Sequence, residues 1–287
     1  MSISAAQVKE LREKTGCPMM DCKKALVEAE GDLETAVDLL RKHGHAGAAK
    51  RRDRPTAEGY LAGAVESGGK KAALVELLCE TDFVARNDEF KKLAQDLADH
   101  LLVVDPVPAN GEALLEGPLG ANMEAVLGTL KENIRVGRIS RLDGSDPERV
   151  DVYVHFNGKI GALIGLGLSD PALAGKEPVM NLHKDLCMQA AFSAPLGITR
   201  EDIPSDIVEK ERAILAELDE VKAKPEKIRP KIIEGKLNKL YKEHAFIEQE
   251  FVKENKVSVK NVLGQVGGEA GGTLDVKRLV RFEVGKA

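Results

Sequence analysis

Apolar residues recur at helical spacing through the first forty positions. Ala5, Val8 and Leu11 form a stripe that starts from Ser4 and stops at Thr15-Gly16. Met19, Met20, Cys22, Ala25, Leu26 and Ala29 supply the buried side of a second helix, between Pro18 and Glu30-Gly31. Leu33, Ala36, Val37 and Leu40 form a third, which Asp32 can cap. The spacing predicts a compact three-helix bundle, small enough to be marginal alone.

The pattern then changes to strands, and it does so twice. Gly69-Lys70-Lys71-Ala72-Ala73-Leu74-Val75-Glu76-Leu77 reappears as Gly158-Lys159-Ile160-Gly161-Ala162-Leu163-Ile164-Gly165-Leu166. Each copy follows a strand headed by Tyr, Tyr60 to Val65 and Tyr153 to Phe156. The joining turns are Ser67-Gly68-Gly69 and Asn157-Gly158, and Asn-Gly between apolar runs is a strong hairpin signal. A helix follows each hairpin, over Asp88 to Leu102 and roughly Val179 to Ala191. Two strand-strand-helix units predict a duplicated α+β core, since a sheet must bury one face against another layer. Between them Gly111 to Asn133 reads mainly as helix and Ile134 to Asp143 as a strand.

Residues 200 to 244 carry balanced charge over an apolar seam. Ile207, Ile214, Leu215, Leu218 and Val221 line one arm, and Ile228, Ile232, Ile233, Leu237 and Leu240 the other, with the break at Lys224-Pro225 and Pro230 near the start of the second arm. This predicts a projecting antiparallel helical hairpin. Too narrow for a thick core of its own, it is a candidate interaction or dimerisation element. The partition is then a bundle over 1–45, a basic linker over 46–56, one core subdomain over 57–145, a second over 146–200 and 245–287, and the hairpin over 201–244 inserted in the core.

Composition narrows the function classes. With 43% hydrophobic and 31% charged residues in 287, the chain lies outside the disordered range. It has no 18-residue apolar stretch to cross a bilayer and no secretory signal at its start, so a cytoplasmic location is expected. A net charge of −5, three Tyr, seven Phe and no Trp speak against a nucleic-acid surface. Six bases, Arg41, Lys42, Lys50, Arg51, Arg52 and Arg54, face one acid, Asp53. That net +5 reads as a solvated tether or a partner-facing patch, and it leaves −10 elsewhere.

Reactive chemistry is not evident. Cys17, Cys22, Cys79 and Cys187 are scattered and read as reduced structural thiols, and neither HExxH nor a Cys/His zinc pattern occurs. Gly63 to Lys71 misplaces the lysine of a phosphate loop and precedes a strand, while Gly264 to Gly272 reads as a flexible loop. No metal, cofactor or catalytic constellation is expected, and the chain does not read as an enzyme. What stands out is Cys79-Glu80-Thr81-Asp82-Phe83-Val84-Ala85-Arg86-Asn87-Asp88, a polar turn after an apolar strand. Phe83 either closes the core beneath the next helix, with Asn87 or Asp88 as its cap, or stands exposed as an aromatic wedge.

At this motif the chain resembles the bacterial translation elongation factor Ts family. Thr81-Asp82-Phe83-Val84 is similar to the family's signature, and Leu11-Arg12-Glu13-Lys14-Thr15-Gly16 with Met19-Met20-Asp21-Cys22-Lys23-Lys24-Ala25-Leu26 to its N-terminal one. Tyr153-Val154-His155, Gly158-Lys159-Ile160-Gly161, Glu234-Gly235-Lys236-Leu237 and Phe251-Val252 agree as well. The resemblance implies a ubiquitin-associated-like bundle, a core of two related subdomains and a coiled-coil hairpin. It also implies a guanine-nucleotide exchange factor that binds elongation factor Tu carrying GDP and speeds GDP release, without a cofactor. By position, Asp82 and Phe83, supported by Thr81 and Val84, would enter the partner near its magnesium site, with further contacts from Arg12, Met19, Met20, Lys23 and His155. The other class that the sequence leaves open is a non-catalytic adaptor. Two departures stand beside the likeness: Leu130-Lys131 replaces the Ile-Gly that relatives tend to carry before Glu-Asn, and a C-terminal helix that clasps the partner in some relatives is not expected after Phe282 to Ala287.

Overall fold

Local chemistry sets the first elements. The Ser4 hydroxyl accepts from the Gln7 amide while the Gln7 carboxamide accepts from Ser4 N, a reciprocal cap that opens α1 (Ala5–Thr15); Gly16, at φ 66°, closes it. The computed structural model describes residues 3–116 and 118–286. Helix α2 (Met19–Glu28) follows Pro18, and the Asp32 carboxylate accepts from Thr35 N at 2.7 Å to open α3 (Leu33–Arg51). Val8, Leu11, Cys22, Ala25, Leu26, Ala36 and Leu40 meet in one apolar core.

Two expectations change here. Met19 and Met20 are exposed rather than part of the buried side of α2, because the cluster is filled by Cys22, Ala25 and Leu26 one turn on. The apolar stripe of α3 stops at Leu40, yet the helix continues to Arg51, so residues 46–51 of the stretch read as a linker are helical. Alanine is the best helix former, Lys50 and Arg51 complement the dipole in the last turn, and the Arg51 guanidinium donates to Leu127 O at 3.3 Å.

The repeat is real at the level of hydrogen bonds. Strands β1 (Glu58–Val65) and β2 (Lys71–Cys79) join through a turn in which Glu66 N donates to Lys71 O and Gly69 N to Glu66 O, at 2.8 and 2.9 Å. Beyond them come α4 (Asp82–Ala85), α5 (Asp88–Val103), α6 (Gly111–Leu114), α7 (Pro118–Leu130) and β3 (Arg135–Asp143), which lies beside β2. Gly117, within the stretch read mainly as helix, is outside the described residues. Strands β4 (Glu148–Val154) and β5 (Ile160–Leu168) repeat the turn: His155 N donates to Ile160 O and Gly158 N to His155 O, at 2.9 and 2.7 Å. They pair antiparallel from Glu148 with Gly167 to Val154 with Gly161. The strand predicted over Tyr153 to Phe156 therefore begins earlier and stops at Val154, because His155 and Phe156 belong to the turn. Strands β2 and β5 each have one half-buried residue followed by eight buried ones. Helices α5 and α8 (Glu177–Ser193) begin at the same interval beyond them.

After α8 come α9 (Ser205–Glu217), α10 (Asp219–Lys222) and α11 (Arg229–His244), which share a seam of Leu215, Val221, Ile233 and Leu237. The first arm is thus two helices. Leu218 takes extended backbone, ψ 131°, and Asp219 and Glu220 favour a new N-terminus there. Strands β6 (Glu250–Phe251) and β7 (Glu254–Ser258) lead to α12 (Val259–Ala270), and β8 (Leu274–Glu283) returns beside β5. The glycine-rich stretch read as a loop is therefore mostly helix. Ser258 caps its start, Gly271 at φ 81° closes it, and Val259, Val262, Leu263, Gly267 and Ala270 are buried on one face. The chain divides into two compact units, one of residues 1–62, 75–139 and 283–287, the other of 63–74 and 140–282.

Candidate functional site

The sheet ladder ends where β2 reaches Cys79, and the next residues must find other hydrogen-bond partners. Thr81, in extended backbone, caps α4 by accepting from Val84 N at 3.4 Å. One turn of helix follows, and Asn87 caps α5 by accepting from Glu89 N and Phe90 N at 2.8 and 3.3 Å. Val84 and Ala85 point into the core, whereas Phe83 is 81% exposed. Of the two readings of this motif, the core-closing one is right about the Asn87 cap and wrong about Phe83: Phe90, fully buried, fills that place. Asp82 is half exposed and pairs with Arg86 at 2.9 Å, one turn on.

The second copy of the repeat provides an internal control. At the position of Thr81 it has Asp170, whose carboxylate accepts from Ala172 N at 2.8 Å and opens a short 3-10 turn, Pro171–Gly175. Leu173 is buried where Val84 is buried, and exposed Ala172 stands where Phe83 stands. A capped turn between strand and helix therefore forms with alanine at its outward position. Folding does not require an aromatic there, and exposing one goes against apolar burial.

The other predicted contacts lie on different elements. Arg12 is exposed on α1, and Met19, Met20 and Lys23 are exposed on α2, where Met20 reaches 62%. Val27, one turn beyond Lys23, is also exposed and was not anticipated, although its spacing from Met19, Met20 and Lys23 on a helix would have shown it. His155 is half-buried in the β4–β5 turn. Its Nδ1 lies 3.0 Å from the Tyr153 hydroxyl, and its ring packs on Phe156 and edge-on to Phe192, with centroids 4.4 and 4.8 Å away. Phe156, 87% exposed, was likewise missed; assigned to a strand, it carried no signal of its own.

Lys131, where the resemblance leads one to expect glycine, adopts left-handed backbone at φ 58°, and its ammonium pairs with Asp21. The lysine thus holds the conformation that glycine favours. Among the described residues no group of three or more His, Cys, Asp or Glu is placed to hold a metal ion, and no helix is long and apolar enough to cross a membrane. Cys187 lies a turn from His183 with Asp151 nearby, but all three are buried, and burial raises the Cys187 thiol well above its ordinary pKa. That trio is core.

Fold and tip together define an α+β protein that displays an aromatic on a capped turn between strand and helix. Comparison with known proteins gives the family. A family model described as elongation factor TS matches residues 80–286. The chain is 42% identical over 296 residues to elongation factor Ts of Aquifex aeolicus, with 99% of each covered. It is 40% identical over 294 residues to that of Nostoc sp. (99% of this chain, 93% of the relative) and 40% over 284 to that of Symbiobacterium thermophilum (99% and 92%). The chain belongs to the elongation factor Ts family, among the translation elongation factors of protein biosynthesis.

Proposed function

We propose that this chain is a cytoplasmic guanine-nucleotide exchange factor that binds elongation factor Tu carrying GDP and promotes GDP release by disturbing the magnesium and phosphate site. Family membership supports the reading, and the observation that carries it is Phe83, exposed on a capped turn whose duplicate manages with alanine. Asp82 and Phe83 form the inserting tip, with Thr81 capping its turn and buried Val84 anchoring it, and Arg12, Met19, Met20, Lys23 and His155 make further contacts. Exchange makes and breaks no covalent bond, so the chain acts without cofactor chemistry and is not an enzyme in that sense.

Burying one Phe yields about 1.5 to 3 kcal/mol, and accelerating release by roughly a thousandfold needs about 4 kcal/mol. Phe83 cannot act alone. Several patches must bind the nucleotide-free partner better than the GDP-bound one, with the tip directing that energy to the metal site. Linkage then requires nucleotide to weaken factor binding as much as the factor weakens nucleotide binding.

Stopped-flow release of fluorescent GDP from elongation factor Tu tests this. The wild-type chain accelerates release, and Phe83→Ala lowers the acceleration by about 10- to 100-fold, one Phe's burial at about 1.4 kcal/mol per decade. Unchanged release with the wild type refutes exchange, and binding without a kinetic effect identifies an adaptor instead.

A further inference from the structure

A four-residue helix is too short to be held by its own hydrogen bonds, and Phe83 is too exposed to be aimed by packing. Something else must fix the direction of the tip. The Glu132 carboxylate, 51 residues on in sequence, accepts three hydrogen bonds from the two residues before α4: Glu80 N at 3.0 Å, Thr81 N at 3.0 Å and the Thr81 hydroxyl at 2.6 Å. Because the hydroxyl gives its proton to Glu132, its lone pairs are left for Val84 N. A relay therefore runs from the carboxylate through Thr81 to the cap of α4.

The brace is reciprocal. Asn133 N donates to the Glu80 carboxylate at 2.6 Å, so each glutamate accepts from the backbone beside the other. The buried Asn133 carboxamide donates to Arg52 O and Arg54 O at 2.9 and 2.7 Å, tying in a third segment. The second copy of the repeat joins its turn differently: Ser169 N donates to Thr273 O and Thr273 N to the Ser169 hydroxyl, at 3.0 and 2.8 Å. Carboxylate bracing accompanies the copy that carries the Phe.

We propose that Glu132 is a positioning residue for exchange, holding the Asp82–Phe83 tip at a fixed angle through Thr81. The proposal rests on the exchange reading above. It assigns to the Glu-Asn pair after α7 a part in the maximal rate rather than in affinity, because Glu132 holds the backbone leading into the tip and its cap.

The test compares wild type, Glu132→Gln and, on the reciprocal half, Glu80→Gln. Stopped-flow GDP release across factor concentration separates maximal rate from half-saturation, while hydrogen exchange follows the Thr81 and Val84 amides and circular dichroism the melting temperature. A carboxamide presents an N–H₂ where one donor already points, so a charge-assisted bond is lost. The expected result for Glu132→Gln is a maximal rate about tenfold lower, half-saturation within about threefold, faster exchange at Thr81 and Val84, and little change in melting. Glu80→Gln shows the same pattern more weakly and serves if Glu132→Gln folds poorly. A wild type that leaves GDP release unchanged refutes the exchange reading itself. A wild type that accelerates release while a folded Glu132→Gln matches its maximal rate, or loses rate and affinity in proportion, overturns the positioning role alone, as does a wild-type maximal rate in Glu80→Gln where Glu132→Gln folds poorly.

Discussion

His183 sits wholly buried on α8, and this placement makes stability depend on pH in a calculable way. Its Nε2–H donates to Ile164 O at 3.0 Å, while Nδ1 is buried without a hydrogen-bond partner, so the ring is neutral and has no acceptor for a second proton. Burial, partly opposed by the negative charge of Asp151, lowers its pKa from the ordinary 6.5 to about 4; Arg149 lowers it further and Glu148 raises it. The folded value lies below the unfolded one, so as pH falls the unfolded chain takes up the proton first. The stabilisation is full above pH 6.5 and declines as pH falls from there to about 4. At about 1.36 kcal/mol per pKa unit the whole window is worth about 3 kcal/mol, of which about 2 are lost between pH 7 and pH 5. Urea unfolding followed by circular dichroism at both pH values measures the drop. His183→Gln keeps an N–H donor but does not titrate, so its drop should be smaller by about 2 kcal/mol, whatever it costs at pH 7. Equal drops in the two proteins, or an imidazole titration by NMR centred near the ordinary histidine value, would refute the reasoning.

Other consequences can be checked more briefly. Phe83→Ala should leave unfolding within about 0.5 kcal/mol of wild type, because the side chain is already in water; a larger loss in urea titration would return Phe83 to the core. Gly16→Ala forces a Cβ into left-handed backbone beside Thr129 and should destabilise the bundle by about 1 to 2 kcal/mol, read as faster amide exchange in α1 and α2. Arg200 forks onto Glu248, donates to Asn238 at 2.9 Å and stacks on the Tyr241 ring at 4.6 Å, at the root of α11. Arg200→Ala should loosen that root by about 1 to 2 kcal/mol after solvent screening, seen as enhanced exchange in α11. Sedimentation of the chain with and without residues 206–240 tests the hairpin as a dimer contact: only the intact chain should self-associate, and equal sedimentation states would discard that role.

The sequence was most informative where one local rule decided the outcome. Asp32, Gly16 and Asn87 act as caps where their residue types suggested, and the Gly69 and Gly158 turns agree bond for bond. It was least informative where tertiary packing outweighed propensity. Three glycines inside α12 argue for a loop by helix propensity alone. Yet a Cβ at Gly267 would lie 3.0 Å from Gly272 O, so one of those glycines permits a close approach and Gly271 ends the helix left-handed. Strand β8 went unread, although Leu274 and Val276 alternate with Asp275 and Lys277, because the repeat was taken to end at its helix.

The tip divides along the same line. Thr81 to Val84 could be recognised as a motif, but the direction of Phe83 depends on which neighbour fills the core, and Phe90 competes for that place within the same few residues. Its brace could not be read at all. Glu132 meets Thr81 only because α5, α6 and α7 return the chain to the end of β2, and no local pattern marks a carboxylate that accepts from backbone so distant in sequence. What the sequence did contain was the comparison that now separates function from folding. Asp170-Pro171-Ala172-Leu173 occupies the place of Thr81-Asp82-Phe83-Val84 in a second copy of the same unit. Cap and buried anchor are kept in both copies while the exposed residue differs, so the capped turn itself does not require an aromatic at the position of Phe83.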